Sequence, residues 1–455
     1  MINEVSAKIE KYIAENENEL ISLLKKLVEI PTVNPWFKKD PKLNKEKEAQ
    51  IFIKDYLEDL GAEIKLWEPD AEKLKEYKDE AGYYEGRDFT NRPNLYAKIP
   101  GQNSSGANSL LLFGHIDVVD VGEGWDSDPF KCVVKDGKIY GRGTADMKGG
   151  IAAMLMALKI IKDLDLKING NILFGSVVDE EAGGMGTLDF AVKDYKADAG
   201  ILAEPTSLKV APLCRGILWG KIIVRGKSGH IEMKQPHWQD GGAVDGLKKA
   251  RFILDIIDNI NEDWSKSKKH PLLPIPCQII PAQINGGSYP TTYAERVEIV
   301  FNAQYLPSEK DKNGLGSKVK EEIEGVIKKA SEVDSWLKNN PPEIEWMIDA
   351  DCGEVPVEHP FINVLKNNTE KYSQIDFKDN RCNSIVQGVT SHTDMGLLIE
   401  NGTNIINFGP GKPEVAHQNN ENIELEELKN ITKIITNSII DWCGMSSSKG
   451  GKAIE

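Results

Sequence analysis

Residues 109–117, SLLLFGHID, set four apolar residues in a row and close on a histidine and an acid. A run of strand length without polar alternation is a strand buried on both faces. Similar runs surround it: NLYAKI (94–99), GNILFGSVV (170–178) and DAGILAEP (198–205). Helical patterns lie between some of them, notably GGIAAMLMALKIIKD at Gly149–Asp163. This alternation predicts an α/β domain: a mainly parallel sheet with helices on both faces.

Before that stretch, Ile9, Ile13, Leu20, Leu23, Leu24 and Leu27 recur at helical spacing, and Pro31 ends the run, so 4–30 reads as a helix. Residues 70–93 are polar and charged with no period, which predicts a surface excursion. Near Pro212 the rhythm changes. ILWGKIIVRG (217–226), a helix about 241–261, CQIIPAQING (277–286), RVEIVFNAQYL (296–306), a helix about 315–336 and EIEWMI (343–348) follow. This β-α-β-β-α-β order is that of a ferredoxin-like α+β domain. After Cys352 the first rhythm resumes, with NIINFGPG (404–411) as a late strand and a helix about 424–443. The expected organisation is one domain of 1–211 and 353–455 carrying an inserted domain of 212–352.

The length of 455 residues suits two cores better than one. A net charge of -15, spread along the chain, opposes nucleic-acid binding, which needs a basic face. The N-terminal stretch is charged throughout, and no stretch approaches the ~20 apolar residues of a membrane span. Six cysteines lie far apart with no CxxC spacing. They predict reduced thiols in a cytoplasmic protein, not a disulfide framework or a thiolate zinc site. Any metal would therefore rest on histidine and carboxylate.

Such residues collect after the predicted strands, where ligands bind in open α/β sheets. His115 and Asp117 close the first, and a carboxylate can hold the second ring nitrogen of a ligand histidine. Taken singly, an HxD is more often structural. Asp146, in GRGTADMKGG, precedes a helix, where a lone Asp is more often an N-cap than a ligand. Glu180 and Glu181 stand side by side after GNILFGSVV, where paired acids are costly unless a cation joins them. Glu204 follows DAGIL, and His417 follows the last strand. Together they have the right count for two zinc ions sharing one carboxylate, about 3.5–4 Å apart.

The ordered set GHIDVVDVGEGWDSDPF (114–130), GRGTADMKGG (141–150), DEEAGG (179–184), AEPT (203–206), FGPG (408–411) and AHQNNE (416–421) resembles one family. It is that of acetylornithine deacetylase, succinyl-diaminopimelate desuccinylase, carboxypeptidase G and aminoacylase-1, which are dinuclear zinc hydrolases. The resemblance spans nearly the whole chain. It implies that His115, Asp146 and Glu204 hold one zinc and that Asp146, Glu181 and His417 hold the other. It further implies that Glu180 is the general base and that Asp117 orients His115. Cobalt or manganese fits the same ligands. GKSGHIEM (226–233) resembles the lid segment of the family. His230 would then polarise the substrate carbonyl, often from the partner subunit of a homodimer formed through the inserted domain.

The resemblance implies cleavage of an amide by attacking water, with an N-acyl amino acid such as N-acetylornithine as substrate. A di- or tripeptidase or carboxypeptidase activity is the alternative, and a non-catalytic binding protein a distant third. The segment at 284–307, INGGSYPTTYAERVEIVFNAQYLP, favours the deacylases. One departure stands out in VTSHTDMGLL (389–398): Gly396 occupies a position where the family commonly has an arginine. A substrate carboxylate would then be anchored by Arg215 or Arg381, with His392 and Asp394 also facing the substrate.

Overall fold

The computed structural model describes residues 2–373 and 384–446. They form two compact units. One takes the chain up to Leu213, then Gly353–Val389, then Thr393 onward; the other takes Cys214–Cys352 with Thr390–His392.

The first unit opens with α1 (Ile2–Glu15) and α2 (Glu17–Glu29), where one helix was expected. Asn16 breaks it, with φ -116° and ψ 24°, and its amide donates to the Tyr12 carbonyl at 2.8 Å. Short polar side chains compete with the helix for backbone groups in this way. The apolar stripe continues through the break, so its period hides it. Next come α3 (Glu46–Asp59), β1 (Glu63–Trp67), α4 (Ala71–Leu74), β2 (Asn94–Ile99) and β3 (Leu110–His115). A short hairpin of β4 (Val133–Lys135) and β5 (Lys138–Tyr140) precedes α5 (Gly149–Asp163), β6 (Ile172–Val177), α6 (Met185–Ala191) and β7 (Ala199–Leu202).

The second unit contains β8 (Gly216–Arg225), α7 (Gly246–Ser267), β9 (Ile279–Gly286), β10 (Arg296–Tyr305), α8 (Ser317–Ser331) and β11 (Glu343–Ala350). The chain then returns to the first unit with α9 (Pro360–Tyr372), α10 (Met395–Glu400), β12 (Ile405–Asn407), β13 (Asn422–Glu424) and α11 (Leu425–Cys443).

The main sheet has the order β1-β2-β6-β3-β7-β12. β6, β3, β7 and β12 pair in parallel, and only β2 runs against its neighbours. Every residue of those four parallel strands is buried, which is why their sequences lack alternation. Phe113 meets Phe190 of α6 with ring centroids 5.0 Å apart. A Cβ on Gly114 would instead strike Met147, just before α5, and touch Ile151 within it. Successive strand residues face opposite ways, so helices cover both faces.

The second unit carries an antiparallel sheet of order β11-β8-β10-β9, the split-βαβ arrangement. Along β10, Val297, Ile299, Phe301, Ala303 and Tyr305 are buried on the side of its helices. Asp245 caps α7, accepting the Leu247 and Lys248 amides. β9 lies at the sheet edge and is exposed after its first residue. No helix among the described residues is long and apolar enough to cross a membrane.

Candidate active site

The four parallel strands of the first unit end on one edge of their sheet, and four chemistry-bearing segments leave from there. β3 ends on His115; Glu180 and Glu181 follow β6; Glu204 follows β7; His417 lies in the loop after β12. Asp146 sits just before α5. The pairing of β5 with β13 sets Ile139 opposite Ile423 and so joins the segment of Asp146 to that of His417.

Asp146 lies between two imidazoles. Its Oδ1 is 3.1 Å from His115 Nε2, and its Oδ2 is 3.3 Å from His417 Nε2. Glu204 Oε1 and Glu180 Oε2 stand 3.5 and 3.7 Å from His115 Nε2, while Glu181 Oε2 is 3.0 Å from His417 Nε2. The ligand-type atoms of His115, Asp146 and Glu204 lie within 4.8 Å of one another, as do those of Asp146, Glu181 and His417. His115 is 1% exposed; the His417 side chain is 53% exposed.

Four carboxyl groups thus face two imidazoles, so acids outnumber the bases beside them. Burial raises the Glu180 and Glu204 carboxyls well above their ordinary range. Glu181 holds the His417 ring up to about 12, against the opposing pull of burial. His115 is driven upward too, because Glu180, Asp146 and Glu204 outweigh its burial. Glu181 Oε1 and Glu204 Oε1 are buried and accept no hydrogen bond. Divalent cations would satisfy such oxygens. Two imidazoles with carboxylates form a donor set for zinc, cobalt or manganese.

Asp117 is placed differently from the simple picture of a carboxylate on His115. His115 Nδ1 donates to the Asp117 main-chain carbonyl at 2.9 Å, and the carboxylate is 3.7 Å away. The strand ends at His115, so alternation no longer governs where residue 117 points. The Asp117 carboxylate instead accepts the amides of Glu180 and Glu181 at 3.3 and 3.2 Å, and the Asn34 side chain at 2.8 Å.

Asp179, at φ +69°, is held by Arg92 at 3.0 Å, Asn34 at 3.2 Å and Arg87 at 3.3 Å. Arg92 also pairs with Glu46 of α3. Arg87 donates to the Ala182 carbonyl and lies 4.1 Å over the Trp36 ring. The stretch 70–93 is therefore only partly a surface excursion. Ala81, Phe89 and Arg92 are buried, since ion pairing with Glu46 and Asp179 outweighs its polar composition.

Asp394 is buried and accepts the Thr187 hydroxyl, and its charge adds to the rise at Glu180. A side chain at Gly184, where φ is +88°, would put a Cβ 2.3 Å from Asp394 Oδ1. Glycine is required there. Of the other residues singled out in the sequence, His230, His392 and Arg215 belong to the second unit. His230 is exposed, bridges Thr292, and accepts the Glu232 amide on Nδ1. His392 Nδ1 stands 2.8 Å from the Asp351 carbonyl. Arg215 is buried, with its guanidinium on Gln304 and the Ile275 carbonyl. Arg381 lies outside the described residues. Asn34, Glu46, Arg87 and Arg92 carry no spacing signal in the sequence. Arg142 and Glu421 lie within the motifs at 141–150 and 416–421, but their residue types alone do not distinguish them from surface charges.

Residues 111–441 match the model of peptidase family M20/M25/M40. The chain is 31% identical to N-formyl-4-amino-5-aminomethyl-2-methylpyrimidine deformylase of Bacillus subtilis, over 96% of this chain and 97% of that one. It is 30% identical to the deformylase of the same name from Halalkalibacterium halodurans, over 97% and 98%. The fold is similar to that of the di-peptidase Dug1p of Saccharomyces cerevisiae, with a TM-score of 0.72 at 15% identity, covering 96% of this chain and 98% of that one.

Proposed function

The chain belongs to peptidase family M20/M25/M40, and on that premise we propose that it hydrolyses the amide of a small N-acyl substrate at a two-metal centre. His115, Asp146 and Glu204 would hold one cation, and Asp146, Glu181 and His417 the other. The observation that carries this reading is the placement of Asp146, with one oxygen toward each imidazole. Zinc is the proposed metal; a pair of such cations supplies Lewis-acid polarisation of the carbonyl and a more acidic water. Glu180 takes a proton from the attacking water and returns it to the departing amine. Asp117 fixes the backbone from which Glu180 projects, and His230 donates to the developing oxyanion.

The substrate class we favour is a formyl or other short-acyl amide of an aminomethyl heterocycle. Two observations support it. Both relatives of 30% identity or more reported above are deformylases of such a compound. By the family resemblance of residues 389–398 an arginine is expected where Gly396 stands, and its absence leaves out an anchor that a carboxylate-free amine does not need. The second reading, an N-acyl amino acid such as N-acetylornithine, draws support from the segment at 284–307 and would use Arg215 or Arg381. A panel of N-formylaminomethylpyrimidine, N-acyl amino acids and dipeptides, with zinc supplied, tests the order. The formamide should give the highest kcat/KM; a faster dipeptide would overturn the deacylase reading.

We also propose a cytoplasmic homodimer formed through the second unit. The support is β9, an edge strand whose backbone and side chains lie open over Ile280–Gly286.

A further inference from the structure

Glu421 and Arg142 are among the most deeply buried charged residues of the first unit, each 1% exposed. The Glu421 carboxylate accepts four donors, two on each oxygen. Oε1 takes the amides of Ala145 and Asp146 at 2.8 and 3.1 Å. Oε2 takes the Gly143 amide at 3.1 Å and Arg142 Nη1 at 2.7 Å. A carboxylate has about four lone-pair positions, so this one is saturated. Arg142 in turn donates to the carbonyls of Gln418 at 3.3 Å, His417 at 3.4 Å and Asp120 at 3.2 Å. His417 itself sits at φ +62°, a conformation that costs a non-glycine residue energy unless its surroundings enforce it.

One ion pair thus grips both backbones that matter to the shared carboxylate: the loop of Asp146 and the loop of His417. We infer that Arg142 and Glu421 are positioning residues that set the distance between Asp146 and His417, and so decide whether the second cation is held. The inference rests on the two-metal reading above. It adds that neither residue touches substrate or metal: both act through main-chain groups. Charge-assisted bonds to amides and carbonyls are strong and directional enough for this work. Residues that orient ligands in this manner commonly change metal affinity by about 10–100-fold when replaced.

The test uses the full chain, wild type beside Glu421→Gln and Arg142→Lys. Zinc content is measured across a series of chelator-buffered free zinc concentrations, and the visible spectrum of the cobalt-loaded protein is recorded. Glu421→Gln keeps the size but turns an amide group toward donors. It should weaken the more loosely held zinc at least about tenfold and shift the cobalt bands. Arg142→Lys keeps the charge beside Glu421 but cannot reach three carbonyls, so a smaller loss is expected. If Glu421→Gln does not fold, Arg142→Lys decides alone. Two zincs at wild-type affinity with an unchanged cobalt spectrum would overturn the inference, even if thermal stability falls. Failure of the wild-type chain to take up zinc would strike the two-metal reading instead.

Discussion

Asp146 gives one oxygen to each of two histidines, and that division of a single carboxylate is the chemical centre of the account. Beside it, Glu180 is the acid whose proton matters, so replacing it should separate chemistry from metal binding. Glu180→Gln is expected to lower kcat by about 10²–10⁴-fold while zinc content stays at the wild-type level. Retained turnover would remove Glu180 as the base and reopen the question of what moves the proton. Arg92 acts differently, since it neutralises Glu46 and Asp179 from a buried position. Arg92→Met leaves Glu46 buried without its cation and takes from Asp179 one of its two arginines, and should cost about 3–5 kcal/mol in urea unfolding. Of these residues, Glu180 was legible in the sequence because it follows an apolar strand. Arg92 was not, because its partners are 46 and 87 positions away and no spacing rule joins them.

At the level of elements, buried strands were the most readable feature. NLYAKI is a strand over its full quoted length, and Gly149–Asp163 is a helix from end to end. Here the apolar pattern and the hydrogen-bonded element coincide. The break at Asn16 and the inward turn of residues 81–92 were hidden, since a side-chain bond and an ion pair decide them. The site followed the same rule. Segments leaving strand ends could be read, whereas the bonds from Asp117 to the 179–181 loop needed the fold. In the first turn of α11, burial pushes the Glu427 carboxyl from 4.5 up to about 7. Its folded pKa exceeds its unfolded one, so the native state binds the proton more tightly. Stability is therefore lost as pH rises from about 4.5 through about 7. Glu427→Gln should remove that loss, raising stability at pH 8 by about 1 kcal/mol after allowance for solvent screening, with little change at pH 4. Equal effects at both pH values in thermal unfolding would contradict this.

For the molecule as a whole, the open edge of β9 predicts association. Light scattering should give twice the chain mass of 50.5 kDa. Ile284, 51% exposed on that edge, is the place to break the pairing. A lysine there should yield monomers, as charged side chains do on protected edges. A wild-type mass of one chain would remove the dimer. Everything chemical, however, depends on the five side chains of the first unit acting together on metal. The most direct measurement is zinc bound per chain, by elemental analysis of the purified protein after zinc loading, for the wild type and for Asp146→Ala. Two are expected in the wild type and none, or one held weakly, in the variant. A wild type without zinc, or a variant that still carries two, would contradict this.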